Sequence, residues 1–329
     1  MIAQGTEANE PLNLLTGNQC ILGLVAVFIF FAVSGFLITQ SFEQTQAPLR
    51  YLLKRCLRIF PGLILVLVLT AFVLGPIVTT LPLTDYLHRP EPYFYVLRNA
   101  YFSLKVHELP GVMFVDNPVG LEVNGALWSL GCEFQMYIMV MLLGICRLIN
   151  VPVCILLLAL GMACIQYEPL SFLTQYDALS FLGGWGWTLS FFAMGMLIYK
   201  LRDWRYTFDG RVAIVAVIGL IASIPLQQFI LLFAPFGCYL AIYIARHPRI
   251  PFIPAAKFGD LSYGLYIFGW PSEQLVIWLM GGHAAWWQVF IDATLVASVL
   301  AFLSWHLVEK RALRLKPRSR HLQAEILAS

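Results

Sequence analysis

Phe30-Phe31-Ala32-Val33-Ser34-Gly35-Phe36-Leu37-Ile38 closes one apolar segment of this chain, and Arg50-Tyr51-Leu52-Leu53-Lys54-Arg55-Cys56-Leu57-Arg58-Ile59-Phe60-Pro61 leads into the next. Each apolar segment is long enough to cross roughly 30 Å of hydrocarbon as a helix. The basic residues stand directly ahead of the second crossing. A span, a fixed cluster of cations at its mouth and another span make a place where a polyanion can be held against a bilayer.

Outward from that junction the pattern repeats. The chain has 329 residues, 60% of them hydrophobic and 12% charged, with mean hydropathy +0.76. A soluble domain carries about 25% charged residues, so most of this surface must face lipid. Only helices and closed barrels satisfy their backbone there. Barrel strands would alternate polar and apolar residues, and these runs do not. The expected fold is therefore all-α, a polytopic transmembrane helical bundle. Nine spans are expected, at about 20–41, 60–82, 126–147, 151–167, 178–200, 212–224, 226–245, 261–280 and 287–308. No repeat or low-complexity linker divides the chain, which reads as one membrane domain over 1–329 with a basic tail at 311–329. Pro82, at the edge of the 83–125 connector, and prolines 90, 92, 110 and 118 within it are expected to break helices.

Orientation follows from Lys and Arg. Eighteen of the 21 lie in segments 43–58, 147–150, 200–211, 246–258 and 309–329. The other three, Arg89, Arg98 and Lys105, lie in the 83–125 connector. The positive-inside rule puts the five rich segments and the C-terminus in the cytosol, with the connector outside. Nine spans then leave the N-terminus outside, although no cleavable leader is legible there. One more helix upstream would restore the usual arrangement.

Few residues can carry chemistry. Arg55 and Arg58 are three apart and share a helix face. With Lys54 they form a guanidinium-rich turn suited to bidentate contact with phosphate oxygens. The same turn also suits an ordinary anchor on anionic headgroups. Glu133 lies early in a span, where a carboxylate costs roughly 2.5–3.5 kcal/mol. A carboxylate kept at that depth faces a bundle interior or a wet cavity, as a proton-handling group or as a structural partner. Ser34-Gly35 suits close helix approach or a local opening. Asp260 reads as a cap for the eighth span, His306 and Glu309 as interfacial residues. Trp270-Pro271 is expected to break the eighth span. The other histidines, His88, His107, His247, His283 and His321, all lie outside the spans. The seven cysteines are scattered and form no CxxC, so neither a disulfide framework nor a metal site is expected. No nucleic-acid partner is expected. There is no nucleophile elbow, HExxH or P-loop.

Taken together, these blocks resemble the bacterial membrane acyltransferase family 3, the O-acyltransferases that decorate cell-surface glycans. Phe30–Ile38 is similar to its FFxxSGFLI block, and Lys54–Pro61 to its RRxxRIxP block. Asn117-Pro118 followed by Val123–Leu130 and Glu133 resembles its NGSLWTLxxE block. Leu261–Pro271 and Ser304–Lys310 resemble its last two spans. The resemblance implies a ten-span fold in the bacterial inner membrane. It also implies transfer of an acyl group, often acetyl, from cytosolic acyl-CoA to a hydroxyl of a lipid-linked or exported polysaccharide. Acyl-CoA is then a donor substrate, with no bound cofactor. Lys54, Arg55 and Arg58 match the positions implied to hold the CoA phosphates, and Glu133 matches the intramembrane catalytic Glu.

The family's opening helix, with an Arg and, after ten further residues, a His, has no counterpart before Arg50. The expectation is an N-terminally shortened member, whose own activity is then in question. The residues leave two other classes open: a carrier or flippase for a lipid-linked glycan, and a non-catalytic remnant.

Overall fold

In the computed structural model the described residues are 10–45, 47–102, 108–112, 114, 117, 122–167, 185–247, 259–282 and 285–316. In chain order the main helices are α1 (Leu22–Thr45), α2 (Pro48–Val78), α3 (Glu91–Ala100), α4 (Gly125–Ile145), α5 (Val151–Tyr167), α6 (Trp185–Leu201), α7 (Gly210–Ser223), α8 (Phe229–Arg246), α9 (Ser262–Leu279) and α10 (Trp286–Leu313). No strand forms among the described residues; a single isolated bridge pairs Thr79 with Val112. Helices α1, α2, α4, α8 and α10 are long and apolar enough to cross a membrane, and α5 and α7 are shorter apolar helices. This is an all-α helical membrane protein, and a helix stands at each of the nine expected spans. Residues 178–184 of the fifth expected span and 317–329 of the expected tail lie outside the described residues.

The chain divides into two compact units. One comprises Met1–Thr6, Leu53–Gly131 and Ile253–Ser329; the other comprises Glu7–Leu52 and Cys132–Phe252. In the first, α10 shows how the helices meet lipid. Its buried face carries Val289, Ala293, Ala297 and Ala301 at fourfold spacing, and Phe290, Leu295, Val299 and Phe302 are exposed. A soluble helix would put polar residues outside; here the bulky apolar side chains face out and the small ones face in. Small residues let backbones approach closely, which drives helix association where lipid is as apolar as leucine. Gly264 of α9 meets this ridge: a Cβ there would lie 2.8 Å from the Ala301 Cβ.

Three expectations are corrected by this unit. The second helix starts at Pro48, well ahead of the expected span's start near residue 60; the basic turn is helical, as its shared face requires, and Pro61 is an interior residue. The connector is not uniformly broken: Leu83–His88 and α3 are helical, with Pro82 and Pro90 just ahead of their first turns and Pro92 in the first turn of α3. The N–H that proline lacks is unpaired in a first turn anyway. Finally, Pro271 does not break α9, which runs unbroken from Ser262 to Leu279. Pro271 would leave the Ile267 carbonyl, four residues back, without its helical partner. The Asn124 side-chain amide donates to that carbonyl at 3.0 Å. Asn124→Leu should therefore strand a buried carbonyl and lower stability by about 1–3 kcal/mol. The melting temperature of the detergent-solubilised protein checks it; an unchanged value would show that the proline needs no such partner.

In the second unit α1 packs on α6, and α6 on α5. A Cβ on Gly35 would overlap the Phe192 carbonyl oxygen, and one on Gly195 would overlap the Ala32 carbonyl oxygen. The two glycines therefore let α1 and α6 approach backbone to backbone. Phe28 stacks on Phe191 with centroids 3.9 Å apart. At one end of this unit Glu43 accepts from Lys200 Nζ at 2.7 Å and from the Tyr199 hydroxyl at 2.9 Å.

Candidate functional site

The candidate residues lie in two places, Lys54, Arg55 and Arg58 in the first unit and Glu133 in the second. All four are held by helices: the cations by the opening turns of α2 and the carboxylate by α4.

Arg58 is the most constrained of the cations. Its Nη2 lies 2.6 Å from Asp260 Oδ2, and its Nη1 lies 3.5 Å from Glu309 Oε2. Its guanidinium carbon stands 5.5 Å from the centre of the Tyr263 ring. The Tyr263 hydroxyl donates to the Ile59 carbonyl at 2.7 Å, tying α9 to the same turn of α2. Glu309 is 2% exposed, whereas the Asp260 side chain is half exposed. The other Glu309 oxygen accepts from the Ser304 hydroxyl at 2.7 Å. Residues five apart on an α-helix point roughly 140° away from each other. A π-helical turn over Trp305–Glu309 widens the path and brings Ser304 and Glu309 together; such turns recur at functional sites.

Magnitudes decide how open Arg58 is. Removing one partner from a buried ion pair costs about 3–5 kcal/mol, and a hydrogen bond to a charged group contributes only about 1.5–3 kcal/mol. A phosphate that drew Arg58 away from Glu309 would have to offset a penalty of that kind. Asp260 and Glu309, expected as a helix cap and an interfacial residue, are instead the partners of Arg58. No local pattern marks them, because they lie far from Arg58 in the chain.

Lys54 and Arg55 occupy the preceding turn and are half-buried. Lys316 joins their neighbourhood from the end of the chain's last described turn. Burial, then the nearby Arg55, Arg58 and Lys54 charges, lower its pKa. Four cations thus share one field, the arrangement that favours a polyanion.

Glu133 is buried, with 6% of its surface exposed. Its Oε1 accepts from the Tyr137 hydroxyl and, at 3.4 Å, from the Ser34 hydroxyl of α1. Tyr137 is placed in turn by Tyr51, whose hydroxyl donates to the Tyr137 carbonyl at 3.2 Å. A carboxylate gripped by two hydroxyls has a fixed direction, which is the geometric condition for moving a proton to or from one place. The spacing of Glu133 and Tyr137, four apart on one helix, is the signal that could have identified the tyrosine from sequence. Ser34, read as a packing or opening position, is a direct partner of the carboxylate.

The remaining candidates are peripheral. His88 Nδ1 lies 2.6 Å from the Thr84 carbonyl and His306 Nδ1 2.9 Å from the Phe302 carbonyl, each bonded within its own helix. His107, His283 and His321 lie outside the described residues. Among the described residues no group of three His, Cys, Asp or Glu side chains could hold a metal ion.

A family model described as "Acyltransferase domain" matches residues 2–309. An "O-acetyl transferase" of Shigella phage Sf6 is 26% identical over 323 residues, covering 93% of this chain and 89% of the relative. "Nodulation protein 10" of Rhizobium leguminosarum bv. viciae is 27% identical over 338 residues, covering 93% of this chain and 87% of the relative. No solved structure matches.

Proposed function

The chain belongs to the membrane acyltransferase family 3, and on that premise we propose that it transfers an acyl group, acetyl in its usual donor, from cytosolic acyl-CoA to a hydroxyl of a lipid-linked or exported polysaccharide. The protein sits in the bacterial inner membrane with its C-terminus in the cytosol. The observation that carries the reading is Glu133, a buried carboxylate on an apolar helix, aimed by Tyr137 and Ser34.

The chemistry divides between the two groups of residues. Lys54 and Arg55, with Lys316 in their field, hold the donor phosphates at the cytosolic face. The convergence of Arg58, Asp260 and Glu309 supports that side assignment, because Arg58 and Glu309 come from segments placed in the cytosol by charge count and Asp260 stands two residues beyond a third. Glu133 takes the proton of the acceptor hydroxyl as its oxygen bonds to the acyl carbon. The carbon–sulfur bond breaks, the electron pair leaves with sulfur, and the thiolate takes up a proton to give free CoA. An ester and a thiol replace an alcohol and a thioester, with no oxidant or metal in the balance.

Arg55→Ala tests the donor site. The KM for acetyl-CoA should rise about tenfold, the equivalent of one lost charge-assisted phosphate contact, with kcat changed much less. A carrier that moves a lipid-linked glycan without using acyl-CoA would be indifferent to that substitution. An unchanged donor KM would remove the basic turn from the donor site.

A further inference from the structure

We infer that Glu309 is a positioning residue for the donor site: with Asp260 it clamps Arg58, so that Arg58 fixes the basic turn of α2 while Arg55 and Lys54 meet the donor phosphates. The inference rests on the donor reading above.

Three side chains engage Arg58. One nitrogen meets Asp260 at 2.6 Å, another faces Glu309 at 3.5 Å, and its carbon lies near the Tyr263 ring. The Glu309 Oε2 atom and Arg58 Nη1 are both buried and have no hydrogen-bond partner apart from facing each other. If a phosphate took Arg58, the Glu309 oxygen would be left buried and unpaired. The surroundings are shaped for this clamp. Gly62, one turn beyond Arg58, leaves room where a Cβ would lie 2.7 Å from the Tyr263 ring and 3.4 Å from the Glu309 carboxyl carbon. The π-helical turn supplies the extra residue that lets Ser304 hold the other Glu309 oxygen. Three helices therefore converge on one guanidinium, and the turn that bears Lys54 and Arg55 is fixed from its buried side.

The opposite role for Arg58 predicts the opposite sign. If Arg58 were a phosphate ligand restrained by Glu309, removing that carboxylate would free it and would also remove a negative charge near a polyanion. Both effects tighten CoA binding. If Glu309 positions the turn, its removal loosens Lys54 and Arg55, and CoA binds more weakly although a negative charge has gone.

The experiment measures binding of radiolabelled CoA to the full chain in nanodiscs for the wild type, Glu309→Gln, Glu309→Asp and Asp260→Asn. Glu309→Gln should weaken CoA about fivefold, a shift of about 1 kcal/mol, and Glu309→Asp should recover part of it. Asp260→Asn, at a half-exposed side chain, should weaken it less and keeps the test alive if Glu309→Gln does not fold. Unchanged or tightened CoA binding in a folded Glu309→Gln or Asp260→Asn protein overturns the inference and leaves the donor reading standing. A wild type that does not bind CoA overturns the donor reading and the inference together.

Discussion

Glu133→Gln should abolish acyl transfer, lowering kcat about a thousandfold, within the range of 10²–10⁴ that a positioned acid–base group contributes. The amide keeps the shape of the side chain and can still receive the Tyr137 and Ser34 hydroxyls, but it cannot take a proton. The affinity for CoA should stay close to that of the wild type, because the donor phosphates are assigned to Lys54 and Arg55. Tyr137→Phe should have a smaller effect, removing the aim and leaving the carboxylate. A Glu133→Gln protein with near-normal kcat would make Glu133 a structural partner only, the role its residue type equally allowed from sequence.

Gly35→Val should prevent α1 from seating on α6. Even a methyl at this position overlaps the Phe192 carbonyl, and the approach from the other helix, Gly195 against the Ala32 carbonyl, is equally tight. Backbone atoms cannot swing aside as a long side chain can, so the cost should reach the top of the roughly 1–3 kcal/mol range for overpacking, or exceed it. The same displacement would carry Ser34 away from Glu133, so any protein that folds should also be impaired in transfer. Gly195→Val should behave alike. Size-exclusion profiles and melting temperatures of the solubilised variants are the check. A wild-type profile for either would mean that α1 and α6 do not pack backbone to backbone.

The helices themselves were legible because lipid imposes a simple demand: a long, mainly apolar run must satisfy its own backbone. That is why the spans around Phe30–Ile38 and Val289–Ala301 were readable directly from composition. The basic turn and Glu133 stood out for the same reason, as charges in or beside apolar runs. What escaped depends on partners distant in sequence. Nothing near Pro271 shows that Asn124 will take up the carbonyl it leaves unpaired, so a break was the natural expectation. Nothing near Arg58 shows that Asp260 and Glu309 will meet it. The π-helical turn at Trp305–Glu309 adds one residue to a turn, a change with no residue signature, and yet it decides where Glu309 points. The Tyr137 contact was recoverable in principle, because fourfold spacing on a helix puts two side chains together.

The proposed reaction passes an acyl group from a cytosolic CoA donor to a glycan hydroxyl under the control of Glu133. Acetyl-CoA labelled in its acetyl group, supplied to inside-out membrane vesicles that contain the protein and a lipid-linked oligosaccharide, tests it most directly. Alkali-labile label should appear in the glycan with the wild type, be lost with Glu133→Gln, and be scarce when the acetyl-CoA is given to right-side-out vesicles. Equal labelling by Glu133→Gln, or labelling that does not depend on which face meets the donor, would contradict it.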